Sequence, residues 1–266
     1  MTLPKRTMPE ADRQHDDSAE PSTDPSRARA LVEFLVCYAL ILLTIWTARP
    51  LQRWLYWIAL DWVVLTTLRS FQGWPAYGLR RAGFWRGAWV IALAAVLAAI
   101  GAATAEHFAT LHTPHGAEDW VRTFGGYTVW SLMQQFLLQG YFLQRIQRLI
   151  PSPRWAVLLA ASLFALAHLP NPILAPVTLV WGIVACTVFL RARNIYPLAV
   201  AHAIFGISIA VMLPPPVIHN MRVGLGYLRY RAPRAAHLSQ SDHTVSTVAW
   251  VMAEAPTRLS ARQARP

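Results

Sequence analysis

The sequence predicts an all-α protein, a polytopic membrane helix bundle with about seven to eight transmembrane helices. Three observations predict it. Hydrophobic residues make up 55% of the 266-residue chain and charged residues only 14%, where a soluble domain carries about a quarter. Mean hydropathy is on the apolar side, at +0.33. The 24 basic and 13 acidic side chains leave a net charge of +11, yet the arginines come as short clusters between long uncharged runs rather than as one basic domain. The pattern excludes an ordinary soluble enzyme, a coiled coil and a disordered chain, and points to membrane lipid, not nucleic acid, as the surroundings.

Taken in order, residues 1–30 read as a polar, disordered cytosolic tail, with Asp16, Asp17, Glu20 and Asp24 set among Pro and Ser and no signal-peptide pattern. Residues 31–122 hold the apolar runs Leu31–Ala48, Leu51–Leu68 and Gly87–Thr104. Residues 123–213 hold four more, Thr123–Leu143, Trp155–Leu169, Ile173–Leu190 and Ile195–Leu213. A span needs about 20 residues. All but Trp155–Leu169, closed by Pro170 and Pro172, meet or approach that length. Backbone cannot cross lipid unpaired, so the runs are expected as helices, and the alternating strand segments of a barrel are missing. Trp46, Trp54, Trp85 and Trp155 fall near run ends, where indole prefers the interface.

Arginine placement orients the runs. With the N-terminus in the cytosol, Arg27, Arg29, Arg69, Arg80, Arg81, Arg86, Arg145, Arg148, Arg154, Arg191 and Arg193 fall inside, and Arg49, Arg53 and Arg122 outside. Residues 214–266, read as a basic C-terminal tail, break the pattern: Arg222, Arg229, Arg231 and Arg234 would lie outside after seven spans. A short eighth segment, a re-entrant turn and one miscounted span all remain open. Thr244–Ala253 is apolar but too short to span. Cys37 and Cys186 are far apart inside apolar runs and give neither a disulfide framework nor a cysteine metal site.

Polar side chains at bilayer depth are functional candidates. The fourth run holds Gln134, Gln135 and Gln139, and Gln135 and Gln139, four apart, share a helix face. The fifth ends in Phe164-Ala-Leu-Ala-His168, and the seventh holds His202-Ala-Ile-Phe-Gly206. From the rise per residue, Gln135 and His202 lie about 12 and 10 Å from the inner ends of their runs and His168 about 20 Å. The first two therefore agree in depth and the third is offset. The acidic candidates are Glu33, Asp61 and, in the outer loop, Glu106, Glu118 and Asp119. His107, His112 and His115 are expected in solvent.

In their order these motifs resemble the CPBP family of CAAX-processing and bacteriocin-processing intramembrane proteases (the Abi, or CAAX amino-terminal protease, group). That family carries Glu-Glu-x-x-x-Arg, then Phe-x-x-x-His, then His-x-x-x-Asn on successive helices. Here Gln134, Gln135 and Gln139 stand at the two Glu and the Arg, with Gly140 following. Phe164 and His168 match the second motif, and His202 matches the third, where Gly206 replaces the Asn. The resemblance implies a multi-pass protein of a bacterial inner membrane and a site between helices formed by Gln134, Gln135, Gln139, His168 and His202. It further implies a divalent metal, zinc in an active enzyme, held by His168 and His202, and a membrane-associated peptide or protein as substrate. Metal-assisted hydrolysis needs a group that takes a proton from the attacking water. A glutamine amide does not titrate near neutral pH, although it positions water and donates to an oxyanion. Three readings follow: a glutamine-variant endopeptidase, an inactive family member acting as scaffold or peptide binder, and a small transporter using Asp61 and Glu33.

Overall fold

The computed structural model describes residues 25–231, all of them helix, turn or loop, with no strand among the described residues. The helices are α1 (Pro25–Trp46), α2 (Leu51–Arg69), a short α3 (Phe84–Gly87) leading into α4 (Trp89–His107), and α5 (Gly116–Gln135). A π-helix (Phe136–Leu143) and α6 (Gln144–Leu149) continue α5 without a break. There follow α7 (Pro153–Leu166), α8 (Leu174–Ala192), α9 (Tyr196–Met212) and the short α10 (Pro215–Ile218) and α11 (Gly224–Leu228).

Three segments, Pro25–Trp46, Phe84–His107 and Leu174–Ala192, are long and apolar enough to cross a membrane, and Pro153–Leu166 and Tyr196–Met212 are shorter apolar helices. Large apolar side chains cover the outside, among them Trp54, Trp85, Ile100, Val129 and Val180. A soluble monomer avoids such continuous apolar surface. In a bilayer it is the lipid contact.

Some boundaries differ from the sequence reading. Helix α1 starts at Pro25, so residues 25–30 are helical rather than part of the tail. The fourth apolar run is the middle of a much longer helix, because Glu118, Asp119 and Trp120 at one end and Gln144–Leu149 at the other continue the winding with polar surfaces. Residues 214–231 are not a loose tail: α10 and α11 fold back against the bundle. Residues 1–24 and 232–266, with Arg234 and Thr244–Ala253, lie outside the described residues.

Helix α8 is the innermost of the three long apolar segments, with 44% of its span buried against 22% for α1 and 17% for Phe84–His107. It packs on α7 at close range. A Cβ on Gly182 would come within 3.1 Å of the Ala161 Cα, and α7 presents Ala156, Ala160, Ala161 and Ala165 as its buried side. Without a hydrophobic driving force between helices in lipid, small residues gain contact by letting backbones approach. On the other side α4 and α5 both pack on α9, and α1 packs on α2 and α6.

Buried asparagines pin both ends of the bundle. Asn194, after α8, donates through Nδ2 to the carbonyls of Arg80 and Ala82 (2.5 and 3.1 Å) and accepts from Tyr196 N–H at 3.0 Å. At the opposite end Asn171 donates to the carbonyls of Ile218 and Arg222 (3.0 and 3.2 Å), and its Oδ1 accepts from the N–H groups of Ile173 and Leu174. Gly224 N–H donates to Leu169 O at 2.7 Å. These bonds are what convert residues 214–224 from tail to cap: they satisfy loop carbonyls that would otherwise be buried unpaired.

A buried ion pair joins α1 to α6. Arg145 Nε donates to Glu33 Oε2 at 2.9 Å, and Nη2 lies 2.8 Å from the same oxygen but off the hydrogen-bond direction. The guanidinium sits over the Tyr141 ring, 3.5 Å from its centroid. Removing one member of such a pair leaves an uncompensated buried charge, a loss of about 3–5 kcal/mol, whereas removing both is far milder. Glu33→Gln is therefore expected to lower the unfolding temperature in detergent sharply, and Glu33→Leu with Arg145→Met to recover most of that loss. Equal melting of the single and double variants would contradict the pairing.

Candidate functional site

The site grows from the junction of α5 and the π-helix. Gln135 and Gln139, one turn apart, are both fully buried at 0% exposure. Gln139 Nε2 donates to Gln135 Oε1 at 2.7 Å, and Gln135 Nε2 lies 2.7 Å from Nδ1 of His202 on α9. The chain Gln139–Gln135–His202 thus bridges two helices from residues 67 apart in sequence. With the Gln135 amide donating, His202 Nδ1 accepts and its proton sits on Nε2. Rotating both amides reverses the direction of the chain. In either sense one amide atom of Gln139 has no partner, Oε1 as drawn. The π winding is local to this segment, and such widened turns are frequent at functional sites.

His168 lies in the turn after α7. Its Nδ1 is 2.7 Å from the Phe164 carbonyl, an acceptor only, so Nδ1 carries the proton and Nε2 keeps a free lone pair. The Phe164 ring is a wedge between the two imidazoles, with its centroid 4.8 Å from His168 and 5.9 Å from His202. The His168 ring folds back over Phe164, as helical side chains lean toward the preceding turn. Of the five residues read from the sequence, the structure unites Gln135, Gln139 and His202 by hydrogen bonds and brings His168 to the same wedge. Gln134 is half-buried and takes no part in the chain.

Two further residues belong to the site and carried no motif. Trp181 of α8 stands 6.3 Å from His202 between ring centroids, with its indole N–H buried and unpartnered. Tyr127 of α5 meets the His202 ring edge-on at 6.4 Å. A Cβ built on Gly206 would overlap the Tyr127 hydroxyl and ring carbons. The phenol therefore fills the volume that any side chain at position 206 would need. Glycine there is a steric requirement, because a tyrosine from the neighbouring helix stands in that space. Only the 206 half of this pairing is readable in sequence.

The acidic candidates do not reach this cluster. Glu33 is held by Arg145. Asp61 is exposed on α2 with no ion pair among the described residues, and Glu106 and Asp119 are exposed. Glu118 pairs with Arg122 at 2.7 Å on the surface. Among the described residues no group of three or more His, Cys, Asp or Glu is arranged to hold a metal. His107, His112 and His115 are exposed, as expected.

Fold and site together define a helical membrane protein whose polar centre is buried between helices. Residues 118–208 match the model of the Rce1-like family, type II CAAX prenyl endopeptidase Rce1-like. That stretch contains every residue of the site, and over it the chain is similar to the CAAX protease family. No curated protein and no solved structure matches it.

The Tyr127–Gly206 fit is open to test. Gly206→Asn inserts atoms into filled space, and overpacking of this kind costs about 1–3 kcal/mol. The variant should melt at lower temperature in detergent, and Tyr127→Ala in the same chain should restore at least half of the loss. Free tolerance of Gly206→Asn would show that the phenol does not hold that volume.

Proposed function

We propose that this chain is a CAAX-protease-type membrane protein whose site binds a membrane-associated peptide segment through neutral hydrogen-bonding groups and does not hydrolyse it. The observation that carries this reading is the buried Gln139–Gln135–His202 chain, in which uncharged amides stand where the family pattern has its second carboxylate and its guanidinium. Losing the acids and the arginine together is physically coherent, since either charge alone would be buried unpaired. A peptide unit offers one donor and one acceptor. The orphaned Gln139 Oε1 and Trp181 N–H are an acceptor and a donor of the matching kind, and His168 Nε2 is a second acceptor.

The residues do not fit a resident zinc ion. A tight zinc site uses anionic or several imidazole ligands in a tetrahedral set. Here two neutral imidazoles are accompanied only by amides, a phenol and an indole, and one imidazole nitrogen is engaged by Gln135. A divalent charge in this environment would lack compensation. The purified protein is expected to contain far less than one zinc per chain, equal in His168→Ala/His202→Ala, with melting unaffected by chelator. Stoichiometric zinc that disappears in the double variant would overturn this.

One observation favours a second reading. His168, with Nδ1–H fixed on Phe164 and Nε2 free, is set up as a proton acceptor, so hydrolysis with an imidazole base is the alternative. Transport through Asp61 and Glu33 has no such support, because one is exposed on α2 and the other is locked to Arg145. The orientation with the N-terminus in the cytosol is part of the proposal and rests on the arginine distribution, and the bacterial inner membrane rests on the family resemblance.

The deciding experiment places the protein in lipid nanodiscs with a fluorescent farnesylated peptide ending in a CAAX sequence, and follows anisotropy and mass spectrometry together. A hydrogen bond is worth about 0.5–1.5 kcal/mol net. Gln139→Leu and Trp181→Phe should each weaken binding by about three- to tenfold, with the peptide intact throughout. Cleavage by the wild type that is lost in His168→Ala establishes the hydrolase reading instead. Absence of any binding removes the peptide-binding one.

A further inference from the structure

The end of the bundle at which α1 begins is built from three loops and is basic throughout. The segment 70–83 with α3, the turn between α6 and α7, and residues 191–195 are stitched together there. Arg80 donates to the carbonyls of Ala192 and Arg193, Ile195 N–H to Gly78 O, and Gln144 to Ala76 O. Helix α6 packs on α1 beside them. Arg69, Arg81, Arg86, Arg154, Arg191 and Arg193 are all exposed on this end. Residues 69–88, 144–155 and 190–196 contain no Asp or Glu. Glu33, the acid nearest this end along α1, is buried and taken by Arg145. These six arginines have no ion pair among the described residues.

The chain that enters α1 at this end has the opposite charge. Between positions 10 and 24 it carries Glu10, Asp12, Asp16, Asp17, Glu20 and Asp24 against Arg13 alone, six of the thirteen acids in the whole protein. Asp24 directly precedes the first residue of α1. Even Glu10 is tethered within about 50 Å of that point at full extension. The tether holds the acids at high effective concentration near the basic face, where attraction acts over a Debye length of about 8 Å at physiological salt.

We propose that this arginine face is the docking surface for the chain's own acidic segment 10–24. The contact is electrostatic and competes with anionic lipid headgroups for the same guanidinium groups, so lipid charge sets whether the face is covered by the segment or by the membrane. It is independent of what the buried site binds.

The test uses the full chain in nanodiscs of zwitterionic lipid. Cys37 and Cys186 are fully buried, so spin labels can be directed to Ser18→Cys in the segment and Gln72→Cys in the exposed loop. At low salt the distance distribution should be narrow and short. At about 1 M salt, where the Debye length falls to about 3 Å, it should broaden by about twofold and lengthen. Asp16→Asn/Asp17→Asn/Glu20→Gln and, from the other side, Arg81→Gln/Arg86→Gln should reproduce that broadening at low salt, as should anionic lipid in the nanodisc. A broad distribution for the unaltered charges at low salt in zwitterionic lipid overturns the proposal and leaves the face to lipid alone. A narrow distribution insensitive to salt and to both charge-removing sets overturns its electrostatic basis.

Discussion

The hydrogen bond between Gln135 and His202 is the interaction on which the rest of the core turns. Inside a bilayer neither group has water to fall back on, so each must find its partner within the protein. Meeting that demand sets how α5 faces α9, and therefore how α4, which packs on the same helix, is placed. The continuous helix from Gly116 to Leu149 serves other neighbours too. Tyr141 hydrogen-bonds Thr66 of α2 at 2.9 Å and the Glu33 carbonyl of α1 at 3.2 Å, and Arg145 takes the Glu33 carboxylate. One helix thus distributes its buried polarity over several partners. The π segment lies between the Gln135 end and the Arg145 end.

The buried cluster around His202 is uncharged, whereas elsewhere the core holds charge. The described residues retain a buried ion pair, Glu33 with Arg145, where a cation–π contact and a backbone carbonyl from Tyr141 help to satisfy the guanidinium. At the site stand amides, imidazoles, a phenol and an indole. Such a set offers hydrogen-bond donors and acceptors in a fixed geometry but no carboxylate to take a proton from an attacking water. Tyr127 and Gly206 fit together in the same way, the phenol filling across the helix interface the space that a side chain at 206 would take.

Much of the architecture was legible in sequence because hydropathy and small-residue content are local properties. The apolar runs became helices, and the i, i+4 spacing of Gln135 and Gln139 became a direct hydrogen bond. His168 and His202 were legible as costly polar residues in apolar helices. Tyr127 and Trp181 were not, because a tyrosine and a tryptophan are ordinary in a membrane helix and nothing in their neighbourhood marks an inward-facing hydroxyl or N–H. Asn171, between Pro170 and Pro172, reads locally as a turn residue. Its role in holding residues 218 and 222 depends on contacts about fifty positions away. Glu33, locally a candidate acid for catalysis or transport, is occupied by Arg145 from 112 residues on.

The amino-acid sequence alone determined that this is a helical membrane protein, which segments are apolar enough to form its helices, and which few polar residues need explaining. Those follow from water-to-lipid transfer and backbone hydrogen bonding, which act on each segment separately. The tertiary structure decided which polar residues share a partner, that Gln134 stands apart from its neighbour Gln135, that residues 214–224 form a cap, and that Gly206 answers to Tyr127. Each is a pairing across an interhelical packing surface, and a contact between distant segments exists only once the helices have chosen their neighbours and rotations.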